Sequence, residues 1–322
     1  MTEPEVPLAD LLRAATARLQ AAGVPSPRAD AELLAAHALG RGAPGAAPGR
    51  GEVQATALRG ATVPDGVAAA LELLLSRRER RVPLQHLTGT ASFRALELEV
   101  GPGVFVPRPE TEVLAGLAVD AALAARAAER AAASGTPLVV DLCTGSGAVA
   151  LAVATEVPAA RVVAVELDPA AHAWAARNVA RLAPGVDLRL GDAAGSDTSV
   201  LHDLVQAGGV GTVDVVVANP PYIPDGARPV DPEVAEHDPP VALFGGGGDG
   251  LLVPRAVVAA ARALLRPGGV LLMEHADVQG PATRALVAGP GWDAVRTVPD
   301  LTGRDRVLHA RRSPADQGPP PR

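Results

Sequence analysis

Short apolar segments of buried-strand type recur through the second half of the chain, at 138–141, 161–166, 213–218 and 270–274, with helical stretches between them. This alternation restricts the fold more than any other feature. Strands joined through intervening helices pair in parallel, because a parallel neighbour can be reached only by a crossover connection. The prediction is an α/β domain with a parallel sheet, preceded by a helix at 110–133. In open sheets of this kind ligands bind outside the carboxyl ends of the strands, so the residues that follow each apolar segment are the ones to inspect.

The first part of the chain has a different periodicity. Leu8, Leu11, Leu12 and Leu19, then Leu33, Leu34 and Leu39, fall at helical spacing, with Ser26-Pro27 starting the second helix. The Gly-, Ala- and Pro-rich stretch 40–51 reads as a mobile loop, and a further helix is predicted over 64–81 with Leu71, Leu74 and Leu75 as its stripe. Alternation around Phe93, Leu96, Leu98 and Val100 suggests a hairpin or extended connector. The expected organisation is a small helical domain over 1–82, a β-hairpin connector over 83–106, the α/β domain over 107–312 and a proline-rich, disordered tail over 313–322.

Composition narrows the chemistry. Although 48% of residues are hydrophobic, no apolar run approaches the ~18 residues that argue for a membrane span. The N-terminus carries Glu3, Glu5 and Asp10 without the positive start of a secretory signal, so a cytoplasmic protein that does not engage membranes is expected. Cys143 is the single cysteine, which leaves no intrachain disulfide and no multi-cysteine metal site. The net charge is −7 and the basic residues are all arginine, scattered without a long run. That disfavours a broad nucleic-acid surface, since phosphate backbones are gripped by clustered positive charge.

Two motifs follow predicted strands. In Asp141-Leu142-Cys143-Thr144-Gly145-Ser146-Gly147, glycines allow close backbone approach to a ligand and the next helix offers unpaired N–H groups. Glu166 ends the following strand, where its carboxylate can accept both hydroxyls of a ribose, and Asp192 with Ala193 follows a third strand, where Asp192 can accept from an adenine amino group. An adenosine ligand fits. The G-x-G-x-x-G spacing of dinucleotide enzymes is absent, and the acid that opens the loop, Asp141, suits the cationic amino-acid end of S-adenosylmethionine.

The second motif is Asn219-Pro220-Pro221-Tyr222, which closes the apolar run 213–218 and contains the only tyrosine of the chain. The lone pair of an amide or exocyclic amine is delocalised, so an enzyme that methylates such a nitrogen must hold both of its hydrogens. The side-chain oxygen of Asn219 and the backbone carbonyl of Pro220 can accept them, the prolines stiffen the turn, and Tyr222 can pack on the planar group. Asn219 thus counts toward both the cofactor and the acceptor side. The motif by itself does not choose between glutamine and adenine.

Further segments carry a resemblance. Pro83-Leu84-Gln85-His86-Leu87-Thr88-Gly89, Val104-Phe105-Val106-Pro107-Arg108-Pro109-Glu110-Thr111-Glu112, Ala242-Leu243-Phe244-Gly245-Gly246 with Asp249-Gly250-Leu251, and Gly303-Arg304-Asp305-Arg306 resemble the bacterial release factor glutamine methyltransferases. The resemblance covers most of the chain, with Cys143 where many members have glycine and Glu166 where aspartate is common. It implies a seven-stranded, Rossmann-like methyltransferase domain behind a helical domain that docks the substrate protein. It also implies S-adenosylmethionine as cofactor and the Gly-Gly-Gln glutamine of a release factor as acceptor. A ribosomal-protein glutamine methyltransferase, a nucleic-acid adenine methyltransferase and a silent adenosine-binding module are the alternatives; the third need not keep Asn219 and Tyr222.

Overall fold

The computed structural model describes residues 5–40, 47–130, 136–193 and 211–314. The chain divides into two compact units, Met1–Thr90 with Pro229–His237, and Ala91–Arg228 with Asp238–Arg322. Of the tail expected to be disordered, 315–322 lies outside the described residues.

The first unit holds α1 (Leu8–Ala21), α2 (Pro27–Gly40), α3 (Arg50–Leu58), α4 (Asp65–Glu79), α5 (Leu84–Thr88) and, returning from later in the chain, α9 (Pro232–His237). Strands β1 (Glu5–Pro7) and β2 (Thr62–Pro64) pair antiparallel. Leu8, Leu19, Leu34, Leu71, Leu74 and Leu75 form its core, which the helical spacing anticipates, whereas Leu33 turns outward at 37% exposed. Two elements depart from expectation. Helix α3 begins inside the stretch 40–51 predicted as a loop, of which 41–46 lies outside the described residues. Buried Glu32 ties α3 down, accepting from Arg50 Nε (2.6 Å) and Gln54 Nε2 (2.7 Å) on α3 and from Arg28 Nε (2.9 Å). Burial acts to raise the Glu32 pKa, but the bonds from Arg50, Arg28 and Gln54 outweigh it and hold it below the usual carboxylate range. Helix α5 stands where an extended connector was expected, and it stops at Gly89 in the left-handed conformation. Buried Arg78 joins α2 and α9 to α4, donating through Nε to Asp30 (2.8 Å) and through a terminal nitrogen to Glu233 (2.9 Å).

The second unit opens with β3 (Thr90–Phe93) and β4 (Leu96–Glu99), a two-stranded sheet. Then follow α6 (Thr111–Arg130), β5 (Leu138–Leu142), α7 (Ala148–Glu156), β6 (Arg161–Glu166), α8 (Pro169–Leu182), β7 (Asp187–Leu190) and β8 (Val213–Ala218). After α9 come α10 (Pro240–Leu243), α11 (Leu252–Leu264), β9 (Leu265–Glu274), α12 (Gly280–Leu286), β10 (Trp292–Pro299) and β11 (Asp305–Arg312). The seven strands are ordered β10-β11-β9-β8-β5-β6-β7. Strands β9, β8, β5, β6 and β7 run parallel, as the alternation requires. An antiparallel pair, β10 and β11, completes the seven strands at one edge. Its sequences are broken by Asp293, Arg296, Asp305, Arg306 and His309 and do not read as buried runs.

Successive side chains of the central strands go to opposite faces. Val139, Val162, Ala164, Val215 and Val217 pack in one core with α6 and α7, while Val140, Val163, Val165, Val216 and Ala218 pack in the other with α11. Two-sided burial is why these strands are apolar throughout rather than alternating. Among the described residues, no helix is long and apolar enough to cross a membrane and no acid, His and Cys cluster could hold a metal.

One buried side chain on α8 joins the β3–β4 sheet to the β5–α7 loop. Asn178, 0% exposed, accepts from the Glu99 N–H (2.7 Å) and donates to the carbonyls of Glu99 (2.9 Å) and Ser146 (3.0 Å). Asn178→Ala leaves these groups without that partner, at ~1–3 kcal/mol for each buried group left unsatisfied. Denaturant unfolding is expected to show a loss of ~2–4 kcal/mol. A loss below ~1 kcal/mol would mean that water replaces the amide there.

Candidate active site

The strand order reverses at β5. The chain proceeds from β5 through β6 to β7 on one side, then returns to place β8 on the other. Connections leaving β5 and β8 therefore diverge, and a crevice opens at their carboxyl ends. Leu142 pairs with Ala218, and Ala218 with Met273. In that register Cys143, Asn219 and Glu274 come next on three adjacent strands.

The β5–α7 loop is built around Asp141. Its helix begins at Gly147, which has no side chain to cap it. Asp141 does so from the strand below: Oδ2 accepts from the Ala150 N–H in the first turn of α7 (3.1 Å) and from the Thr144 hydroxyl (2.7 Å). Burial pushes the Asp141 carboxyl up to about 7, against those two bonds. Cys143 has φ +64°, a left-handed conformation rare for a residue with a side chain. Gly145, at φ +58°, would aim a Cβ into open space, so its backbone stands bare to a ligand. Buried Ser146 is held from behind by Asn178.

Glu166, at the end of β6, reaches back to the same loop. One oxygen accepts from the Gly145 N–H (2.7 Å) and the other from the Asp168 N–H (2.9 Å). Each carboxylate oxygen keeps a further lone pair for a ligand hydroxyl. Burial raises its pKa despite these bonds. The Cys143 thiol is pushed up first by burial and then by the charges of Glu166, Asp141 and Asp192, which places three carboxylates around one loop. Ala193, beside Asp192, is buried. A bare glycine backbone with an acidic surround and a ribose-type acceptor suits the charge and shape of a cationic adenosine cofactor.

The Asn219–Tyr222 turn is clamped to the segment after α10. The Ile223 N–H donates to the Leu243 carbonyl (2.8 Å), and the Gly245 N–H to the Ile223 carbonyl (3.0 Å). Any Cβ at Gly250 would lie 2.2 Å from the Tyr222 carbonyl oxygen, so only glycine permits this approach. Gln279 donates to the carbonyls of Tyr222 (2.9 Å) and Asp249 (3.0 Å) and stitches the two turns together.

Asn219 Nδ2 donates to the Thr111 hydroxyl oxygen at 3.3 Å. Thr111 opens α6 and is buried, as is Glu274 at the end of β9. Burial pushes the Glu274 carboxyl up to about 7, against the pull of the nearby Thr111 and Tyr222 hydroxyls and of the Arg306 charge. Burial, then the Glu274 charge, raises the Tyr222 pKa, so Tyr222 stays a protonated donor. Arg108 pairs with Asp238 at 2.6 Å and lies over the Phe105 ring. The sequence motif names Asn219, Pro220, Pro221 and Tyr222, which follow β8 directly, but does not single out Glu274, Gln279 or Asn178. The acid that closes the apolar run 270–274 was the one available signal for Glu274.

The chain is similar to known proteins over both of its parts. Residues 10–89 match the PrmC N-terminal domain family, and residues 139–219 a methyltransferase domain family. The release factor glutamine methyltransferase of Streptomyces coelicolor is 48% identical over 302 residues, covering 93% of this chain and 96% of that protein. The one from Mycolicibacterium smegmatis is 47% identical, covering 94% and 96%, and the one from Deinococcus radiodurans is 41% identical, covering 95% and 99%. With the helical domain, the methyltransferase domain and near full-length similarity all present, the chain belongs to the release factor glutamine methyltransferase family.

Proposed function

We propose that this protein methylates the side-chain amide nitrogen of the glutamine in the Gly-Gly-Gln motif of peptide-chain release factors, using S-adenosylmethionine. The observation that carries the reading is the adjacency of β5 and β8, which sets the acidic glycine loop beside the Asn-Pro-Pro-Tyr turn at one edge of the sheet. When bound, S-adenosylmethionine supplies an electrophilic methyl group on a sulfonium. The loop from Asp141 to Gly147, with Glu166, Asp192 and Ala193, is the part of the chain that would hold it. Asp141 acts there through the loop it shapes, and Glu166 through the lone pairs left after Gly145 and Asp168.

The acceptor side follows from amide chemistry. A primary amide nitrogen attacks poorly while its lone pair is delocalised into the carbonyl. Asn219 Oδ1 and the Pro220 carbonyl would each take one of its hydrogens, orienting the nitrogen and increasing its electron density. Pro221 stiffens the turn, and the Tyr222 ring would cover the planar group. The helical unit would dock the release factor, the substrate after which the relatives are named. The work of the protein takes place in the cytoplasm, where release factors act.

Glu166→Ala should raise the Kd for S-adenosylmethionine by about 10- to 100-fold in calorimetry, the loss of charge-assisted hydrogen bonds of ~1.5–3 kcal/mol. An unchanged Kd would remove Glu166 from the cofactor site. Asn219→Ala should lower kcat by ~10²–10³-fold while leaving cofactor affinity near wild type, since the lost bond matters most in the transition state. Methyl incorporation into a release factor measures it, and near-normal turnover would refute the amide-acceptor role. Tyr222→Phe should be milder than Tyr222→Ala because the ring face survives.

A further inference from the structure

Two of the four residues in the Asn219-Pro220-Pro221-Tyr222 turn have no amide hydrogen, so N–H groups cannot tie the turn down at Pro220 or Pro221. Proline fixes φ and leaves ψ free, and ψ sets where the Pro220 carbonyl points. Such a turn keeps its acceptors in one direction only if both of its flanks are held. The upstream flank is β8, whose last residue, Ala218, is paired with Leu142 on one side and Met273 on the other. The downstream flank is the Tyr222–Ile223 peptide plane, bonded at both ends. The Ile223 N–H donates to the Leu243 carbonyl (2.8 Å), and the Tyr222 carbonyl accepts from Gln279 Nε2 (2.9 Å).

Gln279 is buried, and every polar atom of its side chain is used. Nε2 donates one hydrogen to the Tyr222 carbonyl and the other to the Asp249 carbonyl (3.0 Å), while Oε1 accepts from the Ala276 N–H (3.1 Å). All three partners are backbone groups, so their donor or acceptor character is fixed. A flipped amide would set its oxygen against two carbonyls and its NH₂ against an N–H, which leaves a single orientation. The backbone of Gln279 is held as well. Its N–H donates to the Ala276 carbonyl (2.8 Å), and its carbonyl accepts from the hydroxyl of Thr283 on α12 (3.1 Å). A fixed support thus reaches the end of the turn through a group that only a primary amide can provide.

We infer that Gln279 is a positioning residue for the methyl-transfer reaction: it fixes the peptide plane that ends the Asn-Pro-Pro-Tyr turn and so holds the Asn219 and Pro220 acceptors in line with the substrate amide. The inference rests on the acceptor-site reading given above, and it adds the group outside the turn that keeps those acceptors in place. Because Gln279 acts through the backbone, its loss falls on turnover rather than on binding. A misplacement of ~1 Å from a change away from the reacting atoms can cost ~10²-fold in rate.

The test uses the full-length enzyme and an intact release factor, with Asn219→Ala assayed in parallel. Gln279→Met keeps the size of the side chain and removes all three bonds; Gln279→Glu keeps an acceptor for the Ala276 N–H and, when ionised, has no donor for the two carbonyls. In both, kcat should fall about 10- to 100-fold, with KM for the release factor and Kd for S-adenosylmethionine near wild type. Calorimetry with S-adenosylmethionine counts the cofactor sites per chain, and the number should stay at the wild-type value. Gly250→Ala approaches the same carbonyl from another loop, since its Cβ would lie 2.2 Å from the Tyr222 oxygen, and it should lower kcat without touching the Gln279 side chain. Wild-type kcat in Gln279→Glu or in Gly250→Ala overturns the inference even if Asn219→Ala is inactive. A fall in kcat matched by an equal fall in cofactor sites assigns Gln279 to stability alone and overturns it, as does a raised KM with kcat unchanged. Normal turnover by Asn219→Ala would instead remove the acceptor-site reading, and this inference with it.

Discussion

The parallel pairing of β5 between β6 and β8 is the constraint from which the rest of the site follows. It sends the chain away from β5 in opposite directions and leaves two loops facing each other across one edge of the sheet. Each loop has a separate task. The β5–α7 loop exposes bare backbone amid three carboxylates, and the turn after β8 offers hydrogen-bond acceptors. Next to β8, β9 ends in a buried acid, Glu274.

Polar groups at this edge are controlled from beneath. Asp141 caps α7 in place of a side chain that Gly147 lacks, and Asn178 holds the Ser146 carbonyl. Gln279 holds the Tyr222 carbonyl, and the Thr111 hydroxyl accepts from the Asn219 amide. Such buried polar contacts are high-stakes, since an unsatisfied partner in a low-dielectric interior is costly. They also keep donors and acceptors oriented before any substrate arrives, which is how electrostatic preorganisation lowers a barrier. Burial penalises the charge of both Asp141 and Glu274 and pushes each carboxyl up to about 7.

Much of this was legible in the sequence, and the reason is local. Strands buried on both faces read as continuous apolar runs, which located β5, β6, β8 and the second half of β9 within a residue or so. The glycine loop and the Asn-Pro-Pro-Tyr turn are contiguous and follow such runs, so their residues could be named outright. What stayed hidden depends on partners distant in the chain. Helix α3 is fixed by Glu32 on α2, and β10 and β11 carry too many charges to read as strands. Glu274 lies near Thr111 and Tyr222, which no spacing rule connects to it. The hydrogen bonds that Asp141 accepts from Thr144 and from Ala150 on α7 belong to the folded loop and had no signal in the sequence.

The central claim is that the carboxyl edge of this sheet delivers a methyl group to the amide nitrogen of one glutamine in a release factor. Its most direct test is mass spectrometry of a purified, unmethylated release factor after incubation with the enzyme and isotopically labelled S-adenosylmethionine. Fragmentation of the peptide that contains Gly-Gly-Gln then locates the label. The account predicts a single labelled methyl on the side-chain nitrogen of that glutamine, and none when the glutamine is replaced by alanine. Label on another residue of the release factor, or an unlabelled release factor beside a labelled ribosomal protein, would contradict it.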